Sequence, residues 1–189
     1  MSQDKPKLLV TRRMPDRVTA RIERDYNATL NHDDVIMSAD ELIKVAAGHA
    51  GILCCGSERF NPELIAKLPE SVRIVSTFSV GYEHIDVEAA KARGITVTNT
   101  PGVLTDDTAD VTMALILAVP RRLHEGAQVM DQGRFDGWTP TWMMGRRLAG
   151  KRLGIIGMGR IGQAVARRAK AFGLQVHYHN RKPVSPRTE

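Results

Sequence analysis

Residues 153–162 read Leu-Gly-Ile-Ile-Gly-Met-Gly-Arg-Ile-Gly, an apolar strand pattern that runs directly into a Gly-x-Gly-x-x-Gly turn. The residues from Ile161 to Phe172 then follow a helical period that ends at Gly173, and Leu174 to His179 has the composition of a second strand. A Gly-x-Gly-x-x-Gly sequence is informative when it lies between a strand and a helix, and here it has both neighbours. The stretch therefore predicts a βαβ unit that binds a dinucleotide.

Each glycine of this turn has its own predicted task. Gly157 permits the tight turn, Gly159 lets the backbone approach a pyrophosphate, and Gly162 lets the helix pack closely on the strand. The helix that begins here points its amino terminus at the anion. We therefore expect the pyrophosphate at the start of this helix.

The residues after the second strand predict which dinucleotide binds. A carboxylate about 20 residues beyond the fingerprint would hold the ribose 2′-hydroxyl of NAD. This chain has Asn180, Arg181 and Lys182 there instead. Arginine offers a planar donor fork to a phosphate, and lysine adds a second positive charge. We therefore predict NADP(H) as the cofactor.

Short apolar runs alternate with helical patterns over the first hundred residues, which favours a parallel sheet with crossover helices. The helix-start signals are the capping box Ser38-Ala-Asp-Glu41, the pair Asn61-Pro62, and Asp86 before a helix that Gly94 closes. Five strands are predicted, at Lys7–Thr11, Ala28–Leu30, Gly51–Cys55, Arg73–Thr77 and Ile95–Asn99. With four helices they predict a flavodoxin-like unit.

A long helix is predicted from Asp107 to Val129, and Pro120 should bend it because proline lacks an N–H and clashes one turn back. Residues 131–150 contain glycine, proline, tryptophan and methionine without a period, which indicates an irregular connection. The predicted fold class is thus α/β, with a flavodoxin-like parallel-sheet domain over residues 1–100. Residues 101–189 are expected to hold the linker helix and the first βαβ part of a truncated Rossmann domain.

Composition places the chain among globular proteins. It has 189 residues, of which 42% are apolar and 25% charged, and this balance argues against disorder and coiled coil. The longest apolar run, Met113 to Val119, is far shorter than the roughly 20 residues that span a bilayer. The first ten residues lack the apolar core of a signal peptide, so a cytoplasmic protein without membrane contact is expected. The adjacent cysteines Cys54 and Cys55 are expected to be buried free thiols.

The charge is concentrated in the second half of the chain. Residues 1–100 have 13 basic and 14 acidic residues, a net charge of −1, whereas residues 101–189 have 14 and 7, a net charge of +7. This excess would attract a phosphorylated ligand. No aromatic-interleaved basic stretch or nucleic-acid motif accompanies it, so nucleic acid is not an expected partner.

Two further glycine loops follow strands of the first domain. Ser79-Val-Gly-Tyr82 follows the fourth strand and Cys55-Gly-Ser57 follows the third. Open α/β sheets bind ligands at the ends of their strands, and consecutive amides in such loops suit a small carboxylate. A purely conformational need for glycine explains these loops equally well.

Three segments together resemble a known family. They are Phe78-Ser-Val-Gly-Tyr-Glu-His-Ile-Asp86, residues 94–110 with the sequence Gly-Ile-Thr-Val-Thr-Asn-Thr-Pro-Gly-Val-Leu-Thr-Asp-Asp-Thr-Ala-Asp, and residues 148–162. In this order they are similar to the D-isomer-specific 2-hydroxyacid dehydrogenases. Residues 110–122 and 138–145 look most like the glyoxylate and hydroxypyruvate reductase branch. The resemblance implies a substrate domain followed by a cofactor domain, and an oxidoreductase that transfers hydride from NADPH to a small 2-keto acid.

The resemblance also implies roles for individual residues. The backbone amides of Val80 and Gly81 would bind the substrate carboxylate, Leu53 would line the substrate pocket, and Thr105 would lie near the nicotinamide. The remaining implied contacts are with the pyrophosphate, from Met158, Gly159, Arg160 and Ile161, and with the adenosine 2′-phosphate, from Asn180, Arg181 and Lys182. The parent family is usually dimeric through its cofactor domain, so a homodimer is expected for the full-length protein.

The chain is expected to lack its acid–base residues. Reduction of a 2-keto acid needs a cation for the keto oxygen and a general acid for the alkoxide. In the family an arginine, a glutamate and a histidine from the later cofactor domain do this, so they are expected beyond Glu189 and none is assigned here. His84 is expected to be a structural residue near Asp86. The isolated chain should therefore show little turnover.

Two alternatives stay open at this point. A related corepressor family uses the same fold to sense a dinucleotide without catalysis, and fold alone does not exclude that role. An NAD-dependent phosphoglycerate or formate dehydrogenase is the second alternative, and the sequence from Asn180 to Lys182 disfavours it.

Overall fold

We describe a computed structural model for residues 5–184. Two segments lie outside the described residues. They are residues 1–4, within the segment where no leader is expected, and residues 185–189, which include Glu189. The chain divides into two compact units, the first ending at Val103 and the second beginning at Leu104. The predicted division, between residues 100 and 101, falls just before this point. That the two units serve substrate and cofactor stays a prediction.

The first unit is built on a five-stranded parallel sheet. Its strands are β1 (Lys7–Val10), β2 (Asn27–Leu30), β3 (Gly51–Cys54), β4 (Ile74–Thr77) and β5 (Thr96–Thr98). Their order in the sheet is β2-β1-β3-β4-β5. This is the flavodoxin-like order, so the predicted architecture is confirmed, and each strand begins and ends within one residue of its predicted bound.

Four helices connect these strands, and the second, third and fourth begin at the predicted start signals. They are α1 (Asp16–Asp25), α2 (Ala39–Val45), α3 (Pro62–Lys67) and α4 (Val87–Ala92). The capping box is formed, since the Glu41 amide donates to Ser38 Oγ and the Ser38 amide donates to the Glu41 carboxylate. The side chains of Asn61 and Asp86 cap α3 and α4 by accepting a hydrogen bond from the amide three residues later, without the reciprocal bond of a capping box.

The sheet of the first unit buries side chains on both faces. One face carries the larger core, which includes Leu9, Ile52 and Val75, and α2, α3 and α4 pack there. On the opposite face, Val10 packs with Met14 and with Ile22 of α1. This alternation along each strand is the period of two that a doubly covered sheet requires.

The second unit begins with two helices where the sequence predicted one. They are α5 (Thr105–Ala118) and α6 (Leu123–Asp131). The predicted continuous helix from Asp107 to Val129 is therefore wrong. Pro120 lacks the N–H that the helical ladder needs there, and the chain then turns through Arg122, which has a left-handed φ of 56°. The sequence predicted a bend, but the structure has an interruption.

The predicted βαβ unit follows an irregular segment of residues 132–151. It consists of β6 (Arg152–Ile156), α7 (Arg160–Ala171) and β7 (Gln175–His179), with β6 and β7 parallel. Apolar residues of α5 and α7, among them Met113 and Val165, form the core of this unit. No helix within residues 5–184 is long and apolar enough to cross a membrane.

Candidate functional site

The three glycines of the turn after β6 differ in what the structure requires of them. Gly157 has a φ of +96°, which other residues rarely adopt. A Cβ on Gly162 would collide with the backbone carbonyl of Gly157, so only glycine fits this approach of helix to strand. A Cβ on Gly159 would meet no atom within 4 Å, and its φ of −80° is ordinary. Neither backbone conformation nor packing among the described residues requires glycine at position 159. Close approach of a pyrophosphate stays the predicted reason for this glycine.

Hydrogen bonds hold this turn against the end of β7. The Gly157 amide donates to the carbonyl oxygen of His179 over 2.9 Å. The side-chain amide of Gln163 donates to the carbonyl oxygen of Met158 over 3.2 Å. Met158 is itself buried, and its contact with the pyrophosphate stays a prediction.

The first turn of α7 supplies donors for an anion. Gly159 caps the helix without a side-chain hydrogen bond, and the first turn has no acidic residue. The amides of Arg160, Ile161 and Gly162 have no acceptor one turn earlier, as at every helix start. The helix dipole adds to their attraction for a phosphate. The residues present therefore fit the pyrophosphate of a dinucleotide.

Asn180, Arg181 and Lys182 directly follow β7 and are exposed. The Asn180 side chain donates to the carbonyl oxygen of Lys182 over 3.0 Å and shapes the short bend. Between residues 5 and 184, neither Arg181 nor Lys182 has an ion-pair partner. Both cations are available to a ligand at the edge of the sheet where α7 begins.

The loop after β4 is fixed through its carbonyl groups. The Thr100 amide donates to Ser79 O over 3.0 Å, the Asn99 side chain to Val80 O over 2.7 Å, and Ser79 Oγ to Gly81 O over 2.7 Å. Within the described chain, the amides of Val80 and Gly81 donate to no protein group. These two donors are the ones for which substrate binding was predicted.

The loop after β3 differs in having an anion of its own. The buried carboxylate of Glu58, which is 4% exposed, accepts from the Cys55 amide and from Ser57 Oγ, each over 3.1 Å. Arg12 in turn donates to Ser57 Oγ. The sequence suggested this loop as a second anion site, and two of its donors, the Cys55 amide and the Ser57 hydroxyl, are bonded to the Glu58 carboxylate. The contact between Glu58 and the Cys55 amide had one signal in the sequence. Glu58 follows Cys55 by three residues, which is the spacing of a capping contact.

Leu53 and Thr105 belong to different units of the chain. Leu53 is a half-buried residue of β3 that packs with Val10 and Met14 and lines an apolar cavity on the α1 side of the sheet. Thr105 is half-buried and begins α5 in the second unit. The roles of these residues beside substrate and nicotinamide stay predictions.

The histidines and cysteines form no metal site within the part of the chain that the structure describes. His84 Nε2 lies 3.0 Å from Thr77 Oγ1, and the structural role expected for His84 near Asp86 stays a prediction. His177 and His179 are exposed on β7. Both cysteines are free, and burial raises the pKa of the Cys54 thiol to about 12.

The sequence of most of the chain matches a known family. The family model described as D-isomer specific 2-hydroxyacid dehydrogenase, catalytic domain, matches residues 8–179. This chain belongs to that family. The resemblance that the loop motifs predicted is thereby confirmed. The D-2-hydroxyacid dehydrogenase family binds a nicotinamide dinucleotide, in agreement with the turn after β6.

Named relatives of this D-2-hydroxyacid dehydrogenase chain are enzymes. It is 40% identical over 181 residues to glyoxylate reductase of Thermococcus litoralis, covering 94% of this chain and 54% of the relative. It is 38% identical over 174 residues to glycerate dehydrogenase of Hyphomicrobium methylovorum, with coverage of 92% and 54%. The chain thus spans about half the length of the curated relatives it matches.

A solved structure supports the same fold. It is the NADPH-dependent glyoxylate/hydroxypyruvate reductase of Sinorhizobium meliloti in complex with NADP and malonate. The similarity has a TM-score of 0.80 at 34% identity and covers 96% of this chain and 55% of that one. The α/β fold with a parallel five-stranded sheet is therefore that of the D-2-hydroxyacid dehydrogenases.

Proposed function

We propose that the protein containing this chain is an NADPH-dependent reductase of a small 2-keto acid, glyoxylate or hydroxypyruvate. The product is the corresponding 2-hydroxy acid. The observation that carries the proposal is the cationic Arg181 and Lys182, without an acidic neighbour, directly after β7. The enzyme names of the relatives favour catalysis over dinucleotide sensing.

The preference for NADPH follows from charge. NADPH differs from NADH by a 2′-phosphate, and an acidic residue after β7 would repel that group. Here the position has the neutral amide of Asn180 and then two cations. Guanidinium–phosphate hydrogen bonds are roughly twice as strong as neutral ones. The Sinorhizobium meliloti reductase, an NADPH-dependent enzyme solved in complex with NADP, agrees with this preference.

On the substrate side, Val80 and Gly81 offer two neighbouring amides to one carboxylate. Loop amides are fixed donors that bind an anion without a charged side chain. In the proposed reaction the cofactor supplies the hydride when bound. Residues of this chain orient the two reactants: the turn from Gly157 to Gly162 holds the pyrophosphate, and the β4 loop holds the substrate carboxylate. We assign the general acid to no residue among those described.

Self-association is also part of the proposal. The second unit exposes large apolar side chains, including Val111, Leu115 and Trp138, and such side chains are typical of subunit interfaces. A homodimer would cover them. Light scattering coupled to size exclusion should give twice the monomer mass, and a monomer at micromolar concentration would contradict this part.

Initial rates of the whole protein test the proposed reaction. NADPH and NADH oxidation are measured with glyoxylate and with hydroxypyruvate as substrates. We expect a higher kcat/KM with NADPH than with NADH for at least one of the two acids. An NADH preference would refute the cofactor assignment, and the absence of turnover with both acids would refute the substrate class.

A further inference from the structure

Three successive carbonyl groups of the β4 loop are held by hydrogen bonds from the protein. Ser79 O accepts from the Thr100 amide, Val80 O from the Asn99 side chain, and Gly81 O from Ser79 Oγ. The donors Asn99 and Thr100 both lie just after β5, next to β4 in the sheet. The hydrogen bonds from Asn99 and Thr100 therefore hold the loop from the side that faces β5.

The direction of each carbonyl fixes the direction of the following amide. In a trans peptide the C=O and the next N–H point in opposite directions, and the peptide bonds are trans here. The bond from Thr100 to Ser79 O thus turns the Val80 N–H away from β5. The bond from Asn99 to Val80 O does the same for the Gly81 N–H. Both amides point away from β5 because their partner carbonyls point towards it.

Counting protons extends this arrangement to His84. A serine hydroxyl has one proton, and that of Ser79 is given to Gly81 O. In the 2.7 Å contact between Thr77 Oγ1 and Ser79 Oγ, threonine must then be the donor. Having used its proton, Thr77 Oγ1 accepts from His84 over 3.0 Å. His84 must therefore have a proton on Nε2.

We propose that Asn99 is a positioning residue for the substrate carboxylate, and that the chain His84–Thr77–Ser79 secures the same loop. This rests on the proposed function of Val80 and Gly81 and adds residues that do not touch substrate. Asn99 aims the Gly81 amide, and the hydroxyl chain orders the peptide that follows. Thr77 is 2% exposed, so water does not compete for its bonds.

The variant Asn99→Ala tests the first part, with Thr98→Val as a matched control. Thr98 is the neighbouring residue, and its hydroxyl donates to Ser76 Oγ, outside the loop. The probe is malonate, titrated into the ¹⁵N-labelled 189-residue chain while amide resonances of Val80 and Gly81 are followed by NMR. We expect saturable shifts in the wild type and in Thr98→Val. In Asn99→Ala the Gly81 amide is no longer aimed, so its charge-assisted hydrogen bond to the malonate carboxylate is lost and malonate should bind about tenfold more weakly.

Malonate binding by Asn99→Ala that equals the wild type would overturn the proposal, as would absence of shifts at Val80 and Gly81 in the wild type. In the whole protein, Asn99→Ala should raise the KM for the keto acid and leave the KM for NADPH unchanged. If the wild type shows malonate shifts but reduces neither acid, the proposed function fails and the positioning role stands. If the whole protein reduces a keto acid but Asn99→Ala leaves the KM for that acid unchanged, the proposed function stands and the positioning role fails.

The hydroxyl chain has its own test, and the first part of it uses only the wild-type chain. Imidazole ¹⁵N shifts of the wild-type chain should show His84 protonated on Nε2. A neutral ring protonated on Nδ1 alone would overturn the donor order. Thr77→Val should weaken malonate binding several-fold, and Thr77→Ser, which keeps the hydroxyl, should restore it. Equal binding by these two variants would also contradict the role of Thr77.

Discussion

The backbone amide of Gly157 donates to the carbonyl oxygen of His179 over 2.9 Å and thereby ties the glycine turn to the end of β7. Asn180 follows His179 directly, so the cationic segment starts one residue from this hydrogen bond. In the proposed reductase, the turn that holds the pyrophosphate is therefore next to the side chains that bind the adenosine 2′-phosphate. Substitutions in the glycine turn and in the segment after β7 should therefore both change NADPH binding.

Gly162 and Gly159 should respond differently to alanine. Gly162→Ala places a Cβ against the Gly157 carbonyl, so it should lower the free energy of unfolding by about 1–3 kcal/mol, typical of overpacking, and weaken NADPH binding. Gly159→Ala meets no protein atom and exchanges only a helix N-cap residue, so it should cost at most about 1 kcal/mol of stability and mainly lose NADPH affinity. Thermal unfolding and NADPH fluorescence titration measure the two effects. Unchanged NADPH binding in Gly159→Ala would show that the pyrophosphate does not approach this turn.

The segment after β7 should set the cofactor preference. Arg181→Ala should weaken NADPH binding by roughly tenfold or more and leave NADH binding nearly unchanged, because only NADPH has the 2′-phosphate. Asn180→Asp should also disfavour NADPH, since its carboxylate repels that phosphate. Arg134→Ala removes an exposed arginine elsewhere in the second unit and serves as the control for net charge. Equal loss of both cofactors in Arg181→Ala would assign this arginine a general electrostatic role.

Glu83 is predicted to weaken anion binding at the β4 loop. Its carboxylate lies over the Cα of Gly81, close to the place where a Cβ would be. Glu83→Gln removes this negative charge and should tighten malonate binding a few-fold, with a smaller salt dependence. Glu88→Gln, on the exposed side of α4, makes the same charge change as a control. Weaker malonate binding in Glu83→Gln would contradict an anion site at Gly81.

Asp34 should make the stability of the first unit depend on pH in acid. Hydrogen bonds from the Arg12 side chain and the Arg13 amide lower the pKa of Asp34 from 3.8 to about 2. Because the folded-state pKa lies below the unfolded one, its stabilisation is complete above about pH 4 and is lost as pH falls through 2. The effect is small, since water screens this exposed pair.

The variant Asp34→Asn tests this pH dependence. The difference in free energy of unfolding between wild type and Asp34→Asn should shrink as pH falls from 5 to 2. Asp33→Asn, an adjacent carboxylate without a hydrogen bond among the described residues, is the control. A difference that stays constant over this range would mean that the Arg12–Asp34 pair does not persist in solution.

The sequence predicted those features that depend on local chemistry. Strands, caps and the Gly157 turn follow from periodicity and from residues whose backbone needs are particular, and their positions agree with the structure. The interruption at Pro120 was underestimated, because a proline within an apolar helical pattern is compatible with either a kink or an end. Local pattern alone did not distinguish these outcomes.

Features that depend on distant residues were not predictable. Asn99 and Val80 are 19 residues apart and meet only because β4 and β5 pair in parallel. The burial of Glu58 at the β3 loop likewise depends on packing. The sequence therefore did not predict that the Glu58 carboxylate accepts from the Cys55 amide of this loop. The direction of a backbone amide is a property of the fold, and a glycine in the sequence does not specify it.

Competitive titration of the 189-residue chain with NADPH and NADH tests the central claim most directly. If the Gly159 turn and the cations after β7 hold a 2′-phosphorylated dinucleotide, NADPH should saturate the chain with a Kd at least tenfold below that of NADH, and rising salt should reduce the difference. Equal affinities, or tighter binding of NADH, would contradict the assignment of Arg181 and Lys182 to the 2′-phosphate.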